Sequence, residues 1–168
     1  MLQIRQATAV DSDAIWDIFH AVAAHGDTYT FDPDISREEA LAYWLHPSNS
    51  CYVAEREGSV VGTYILRANQ PGLGSHVANA AFMVPPQARG LGVGRAMGEH
   101  SLSEARRLGF RAMQFNFVVS TNESAVRLWH QLGFKIVGTL PGVFRHSEKG
   151  FVDAYVMFRS LAPAAGAG

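Results

Sequence analysis

Ala80-Ala81-Phe82-Met83-Val84 leads through Pro85-Pro86 into Arg89-Gly90-Leu91-Gly92-Val93-Gly94-Arg95, and this passage from an apolar run into a glycine-studded bend decides how the chain is read. Three alternating glycines permit positive φ and, having no Cβ, let the backbone approach a ligand closely. The composition from about Gly94 to Leu108 is helical, with Gly109 as its stop. The first N–H groups of such a helix have no partner within it. Together with the helix dipole and the flanking Arg89 and Arg95 they favour an anion, and phosphate or pyrophosphate is the natural guest.

Working outward, Leu2–Gln6 alternates with period two and reads as an opening strand. Asp11 or Ser12 can cap a helix carrying Ile15, Ile18, Phe19 and Val22 on one face. Ser36 and Glu39 form a capping box before a helix with Leu41, Trp44 and Leu45. Between the two lies a polar and aromatic connection, Asp27–Asp34. Tyr52–Glu55 and Val60–Arg67 read as strands joined at Gly58, and Asn69–Gly74 as a loop. His76–Val84 is small and apolar, as in a strand covered on both faces, and Pro85-Pro86 must end its pairing. Arg111–Val119 is read as a strand, Asn122–Leu132 as a helix ended by Gly133, and Phe134–Leu140 as a strand. A loop marked by Pro141-Gly142 and Lys149-Gly150 then precedes the last strand, Phe151–Phe158. The order β-α-α-β-β-β-α-β-α-β-β predicts an α/β fold: one domain over residues 1–161, a single mixed sheet and helices on both faces. Residues 162–168 read as a frayed tail.

At 168 residues the chain is long enough for one sizeable core, and 48% hydrophobic with 17% charged residues argues against disorder. A formal net charge of −1 gives no electrostatic footprint for nucleic acid or an anionic membrane. Cys51 is the only cysteine, which excludes an intrachain disulfide and a thiolate-rich metal site, and no metal is expected. Neither a signal peptide nor a transmembrane run is evident, so a cytoplasmic protein is expected.

Two phosphate-binding patterns fail at the bend. No Gly-Lys pair follows for a P-loop, and a dinucleotide fingerprint would need glycine where Arg95 or Met97 stands. A third pattern, Arg/Gln-x-x-Gly-x-Gly/Ala, is matched by Arg89, Gly92 and Gly94, and again by Gln87, Gly90 and Gly92. In this the segment resembles the acyl-CoA pyrophosphate loop of the GNAT N-acetyltransferase superfamily. An ordinary strand-to-helix turn is the alternative for the bend alone. The segment Asn122-Glu123-Ser124-Ala125-Val126-Arg127-Leu128-Trp129-His130-Gln131-Leu132-Gly133-Phe134 is similar to that family's second signature, Asn-x-x-Ala-x-x-Leu-Tyr-x-x-x-Gly-Phe, and the order of elements is also the family's. Asn79–Val84 and Gln114–Asn122 further resemble a branch that includes fungal acetyltransferases of proline analogues.

The resemblance implies a mostly antiparallel sheet with a central parallel pair of strands that splay apart, and acetyl-CoA as cosubstrate. It implies that Phe82, Met83, Val84, Arg89, Gly90, Leu91, Gly92, Val93, Gly94 and Arg95 hold the cofactor, joined by Asn116, Asn122 and Trp129. The Val84 N–H would stabilise the oxyanion, and Asn79, where many relatives carry Glu, would orient the acceptor. An amide cannot act as a base. Asn79 and Asn116 each sit in a largely apolar strand, and a buried amide requires a partner. Trp129 replaces the tyrosine often assigned as the acid, and indole N–H is no usable proton source, so the acid stays unassigned. A thiol pKa of ~8.5 lets thiolate leave near neutrality without one. Tyr29, Phe31 and His146 are candidate acceptor-site residues, with His146 in a loop over that site; His76, His130 and His146 are also the weaker candidates for a base. Cys51 lacks an assignable base partner, so direct transfer without an acyl-enzyme is expected. The expected reaction is acetylation of a small amino-acid-like amine by a possible homodimer. Alternatives are a protein or peptide N-acetyltransferase, a non-catalytic acyl-CoA sensor and a nucleotide-binding domain.

Overall fold

Strand β1 (Leu2–Gln6) pairs antiparallel with β2 (Ser50–Arg56), which turns back through Glu57 and Gly58, both at positive φ, into β3 (Ser59–Ala68). β3 pairs antiparallel with β4 (Val77–Met83). With β5 (Ala112–Val119), β6 (Lys135–His146) and β7 (Gly150–Ser160) these form one seven-stranded sheet of order β1-β2-β3-β4-β5-β7-β6. The structure is a computed structural model and describes residues 1–162; positions 163–168 of the expected tail lie outside the described residues. Ala162, where that tail was expected to begin, still donates its N–H to the Arg111 carbonyl oxygen at 3.1 Å.

Only the β4–β5 pair is parallel, and its pairing is confined to Val77–Ala112 and Ala78–Met113. Beyond Ala78 the two strands part. A register shift between Phe115 and Val118 bends β5 towards β7, on the side away from β4. The antiparallel ladder then decides which β4 groups face the gap. The Asn69 N–H bonds the Val77 carbonyl, so Val77, Asn79, Ala81 and Met83 direct their main-chain groups at β3. Ala80, Phe82 and Val84, the alternate residues, direct theirs into the opening.

Helices cover both faces, as their apolar stripes require. α1 (Ser12–Ala24) buries Ile15, Ile18, Phe19 and Val22, and α2 (Arg37–Trp44) buries Ala40 and Trp44; this core includes Val53, Ile65 and Met83. Ser36 caps α2 through the expected box with Glu39. On the other face, α3 (Val93–Arg107) and α4 (Glu123–Gln131) cover Tyr64, Ala80, Met113 and Phe115.

One expected loop is a strand. β6 does not end at Leu140 but continues to His146, past an irregularity between Leu140 and Phe144 where Asp153 Oδ1 accepts the Gly142 N–H at 2.9 Å. Pro141 had suggested a break. On an outermost strand the missing N–H costs no ladder bond, so proline is tolerated there. The β6–β7 hairpin leaves Val137, Val143 and Phe151 exposed.

α3 and α4 approach closely because Gly98 has no side chain: a Cβ there would lie 2.6 Å from Leu132 Cδ1 and 3.1 Å from Trp129 Cζ3. Gly98→Ala should therefore destabilise the fold by about 1–3 kcal/mol through overpacking. Urea unfolding measures this, and an unchanged midpoint would show that the two helices yield freely.

Candidate active site

At the bend, Gly92 is the N-cap of α3 in left-handed conformation (φ 78°), and Gly90 is likewise left-handed (φ 75°). Neither would meet an obstacle with a Cβ; their requirement is the backbone angle. Gly94 lies in the first helical turn, where its missing side chain keeps the approach open. The first helical hydrogen bond runs from Ala96 N–H to the Gly92 carbonyl, and no side chain caps the helix. Val93, Gly94 and Arg95 thus present N–H groups without helical acceptors. The first turn holds no acidic residue, which leaves its positive end uncompensated. Arg95 bonds Glu99 and Gln131, whereas Arg89 is exposed and makes no ion pair among the described residues. Leu91 is 54% exposed and takes no part in the cavity wall.

From this turn a cavity of about 940 Å³ runs through the opening between β4 and β5 to the α1–α2 face. Its α3–α4 side is walled by Phe82, Phe115 and Trp129, with ring centroids 4.8 Å apart for Phe82–Trp129 and 4.7 Å for Phe115–Trp129. Trp129 is buried in this cluster as an apolar wall. Asn122 caps α4, its side chain accepting the Ala125 N–H, and also lines the cavity. Met83 turns its side chain into the α1–α2 core. The Val84 N–H faces the opening and takes no partner among the described residues.

The two asparagines differ from expectation and from each other. Asn79 Nδ2 donates to the Gln114 carbonyl oxygen at 2.9 Å, bridging the strands just where they part. Asn116 is exposed, not buried: it bonds Asn69 Oδ1 at 2.6 Å and accepts from Gln114 Nε2 at 3.0 Å. Alternation along β5 turns Met113 and Phe115 towards α3 and α4, so Asn116 projects to the opposite, α1–α2 side and not to the expected cofactor side.

On the α1–α2 side the cavity meets Tyr29, Phe31, Tyr43, Arg67 and His146. The Tyr29 hydroxyl reaches the Phe82 main chain, and Tyr29 and Phe31 stack with centroids 5.8 Å apart. His146 ends β6, and its Nδ1 accepts the N–H groups of Glu148 and Lys149 at 3.0 and 3.2 Å. A ring nitrogen used this way carries no proton, so Nε2 holds the proton of the neutral ring and can donate but not act as a base. His76 and His130 lie outside the cavity wall. Burial pushes the Cys51 thiol up to about 11, which suits a core residue and not a nucleophile.

Three residues escaped the sequence reading. Arg67 closes β3, donating to the Tyr43 hydroxyl at 3.0 Å and standing 5.4 Å from that ring's centroid; it forms no ion pair among the described residues. Asp27 Oδ1 and Thr121 Oγ1 are buried in the same cavity wall without hydrogen-bond partners. A lone charge at a strand end and a threonine before a helix cap carry no sequence signal of their own. Their significance is positional.

The sequence pattern of the acetyltransferase (GNAT) family matches residues 14–134. An N-acetyltransferase of Schizosaccharomyces pombe, aca1, is 30% identical over 148 residues, 78% of this chain and 71% of its own. The L-methionine sulfoximine/L-methionine sulfone acetyltransferase of Salmonella typhimurium is 28% identical over 147 residues, 84% of this chain and 85% of its own. Among solved structures, a GCN5-related N-acetyltransferase from Kribbella flavida superposes with a TM-score of 0.90 at 44% identity, covering 95% of this chain and 97% of its own. The acetyltransferase yncA of Salmonella typhimurium, solved with its cofactor acetyl-CoA, gives 0.85 at 25% identity over 100% and 98%. With its fold, its glycine bend and its parted strands in these relations, the chain belongs to the GNAT family of acetyltransferases.

Proposed function

We propose that this acetyltransferase moves the acetyl group of acetyl-CoA directly to the amine of a small amino-acid-like substrate. The observation that carries the reading is the cavity itself, which joins the uncapped end of α3 to Arg67 and Asp27 through the parted strands. In this reading the diphosphate rests on main-chain N–H groups from Gly90 to Arg95, with Arg89 beside it. The pantetheine arm passes between Phe82, Phe115 and Trp129, where Asn122 Nδ2 and the unpartnered Thr121 hydroxyl supply polar contacts. The Val84 N–H takes the thioester oxygen, a preorganised donor for the charge that develops there. Amine and thioester, approaching from opposite faces of the sheet, need little beyond placement, because thiolate is a tolerable leaving group near neutrality.

The acceptor side supports a compact amino acid. A guanidinium without an acidic partner suits a carboxylate in bidentate geometry, and the partnerless Asp27 carboxylate suits an ammonium. Asn79 Oδ1, Tyr29 and Phe31 complete the acceptor wall, with His146 Nε2 as a donor. The site is also roofed: Ser147 N–H bonds the Gly26 carbonyl at 3.0 Å and Ser147 Oγ the His25 carbonyl at 2.9 Å, tying the β6–β7 turn to the end of α1. That tie fits a small acceptor better than the open groove a peptide would need. The Salmonella typhimurium relative, named for methionine sulfoximine and methionine sulfone, fits the same substrate class.

A panel of amino acids, proline analogues, their carboxamides and short peptides, assayed by release of free CoA, tests the reading. Turnover is expected to be highest on free amino acids, lower on their carboxamides and absent on peptides; turnover on peptides alone would overturn the acceptor assignment, and none at all would favour a sensor. Arg67→Met should raise KM for the best amino acid about tenfold or more while leaving its carboxamide unaffected, since only the carboxylate loses a charge-assisted partner. Gly92→Asp and Gly94→Asp should each weaken acetyl-CoA binding at least about tenfold by setting a negative side chain at the anion site. Calorimetry with wild-type affinity in both variants would remove the diphosphate from this turn.

A further inference from the structure

The Tyr29 hydroxyl fills a definite place on the parted sheet. It donates to the Phe82 carbonyl oxygen at 2.6 Å and accepts the Phe82 N–H at 2.9 Å. In a closed sheet those two groups would pair with β5. Here one side chain from the α1–α2 connection satisfies both. An extended arm entering from the α3 end along β4 meets the Val84 N–H first and then reaches Phe82, where the edge is already taken.

This obstruction is rigid. The Tyr29 ring stacks on Phe31, which packs against Phe19 at 4.7 Å and Tyr43 at 5.0 Å, and Phe19 meets Trp44 at 5.8 Å. Moving the hydroxyl breaks two hydrogen bonds and strips the Phe82 main chain of both partners. Burial drives the phenol's ionisation well above its ordinary range, so the neutral hydroxyl, able both to donate and to accept, is the form that persists.

We propose that Tyr29 sets the acyl-chain length of the donor: its hydroxyl is the end wall of the acyl slot, leaving room for an acetyl methyl group but not for propionyl or butyryl. This deepens the reading that the thioester of an acyl-CoA lies between β4 and β5. Because Tyr29 also borders the acceptor side, the wall is read from the ratio between donors with one acceptor held fixed.

Acetyl-, propionyl- and butyryl-CoA, compared with one amino-acid acceptor, provide the test. The wild type should prefer acetyl-CoA over propionyl-CoA by about tenfold or more in kcat/KM, the usual worth of one methylene against a fixed wall, and by more over butyryl-CoA. Tyr29→Phe, which removes the hydroxyl, should narrow the acetyl-to-propionyl ratio. Tyr29→Ala, which removes the ring as well, should bring butyryl-CoA within a few-fold of acetyl-CoA. CoA affinity and the thermal midpoint report whether each variant is folded. Equal use of the three donors by the wild type, or ratios unchanged in the folded variants, would overturn the proposal.

Should neither variant fold, wild-type affinities for the unreactive thioethers S-ethyl-CoA and S-butyl-CoA decide the matter. Tighter binding of S-ethyl-CoA supports the wall, and equal binding removes it. The thioethers also separate the two readings. A wild type that discriminates between them yet releases no CoA with any amine would retain the wall and lose the transfer reaction.

Discussion

Every backbone N–H and C=O of a buried strand needs a partner, and the parting of β4 from β5 leaves a short stretch of one strand without its usual one. That deficit organises the molecule. Ala78 still pairs with β5; Asn79 bridges to Gln114 through its side chain; Phe82 is satisfied by a tyrosine hydroxyl; Val84 N–H faces the opening. A sheet edge buried in the middle of a protein is costly unless something adds to it, and an extended polar arm is the natural addition. The uncapped glycine turn stands at the mouth of the gap because α3 begins ten residues beyond the end of β4.

The same parting makes the site two-sided. Aromatic rings wall the α3–α4 half of the cavity, while α1, α2 and the end of β3 wall the other half with a more polar set. The two cores lie on opposite faces of the sheet, and under the proposed function donor and acceptor would reach the reacting carbon from these two sides. Trp129, which stands where the family signature has tyrosine, belongs to the aromatic wall of the cavity. A hydroxyl does reach the sheet opening, that of Tyr29, from the other side and from a different element. Proton traffic in this chain therefore has no side chain in the place that the family resemblance had suggested.

Much of this was legible in advance. The order of elements follows from period-two and period-3.6 patterning, the caps at Ser36 and Asn122 from side-chain chemistry, and the anion turn from glycines flanked by arginines. Where the reading failed, the cause was tertiary. Asn116 looked buried because its neighbours along the chain are apolar, but only the bend of β5 decides that its side chain projects to an exposed site beside Asn69. Pro141 looked like the end of a strand because sequence does not reveal that β6 lies at the outermost edge of the sheet. His146 looked like a base in a loop, yet it sits on a strand with one nitrogen spent on the turn that follows.

The sequence by itself determined the fold family and the glycine turn that opens α3, because both depend on local backbone chemistry: glycines at positive φ, a helix start without a cap, and apolar spacing. Only the tertiary structure decided which residues meet on the α1–α2 side of the cavity, where the proposals put the acceptor and the end of the acyl slot. Asp27 and Tyr29 stand two residues apart in the connection between α1 and α2, whereas Arg67 lies near the end of β3, and neither Asp27 nor Arg67 stands out where it occurs in the chain. What sets them apart is what they face and how they are partnered: Arg67 forms no ion pair among the described residues, Asp27 Oδ1 has no hydrogen-bond partner, and the Tyr29 hydroxyl has two. Those are properties of packing, which no local pattern encodes.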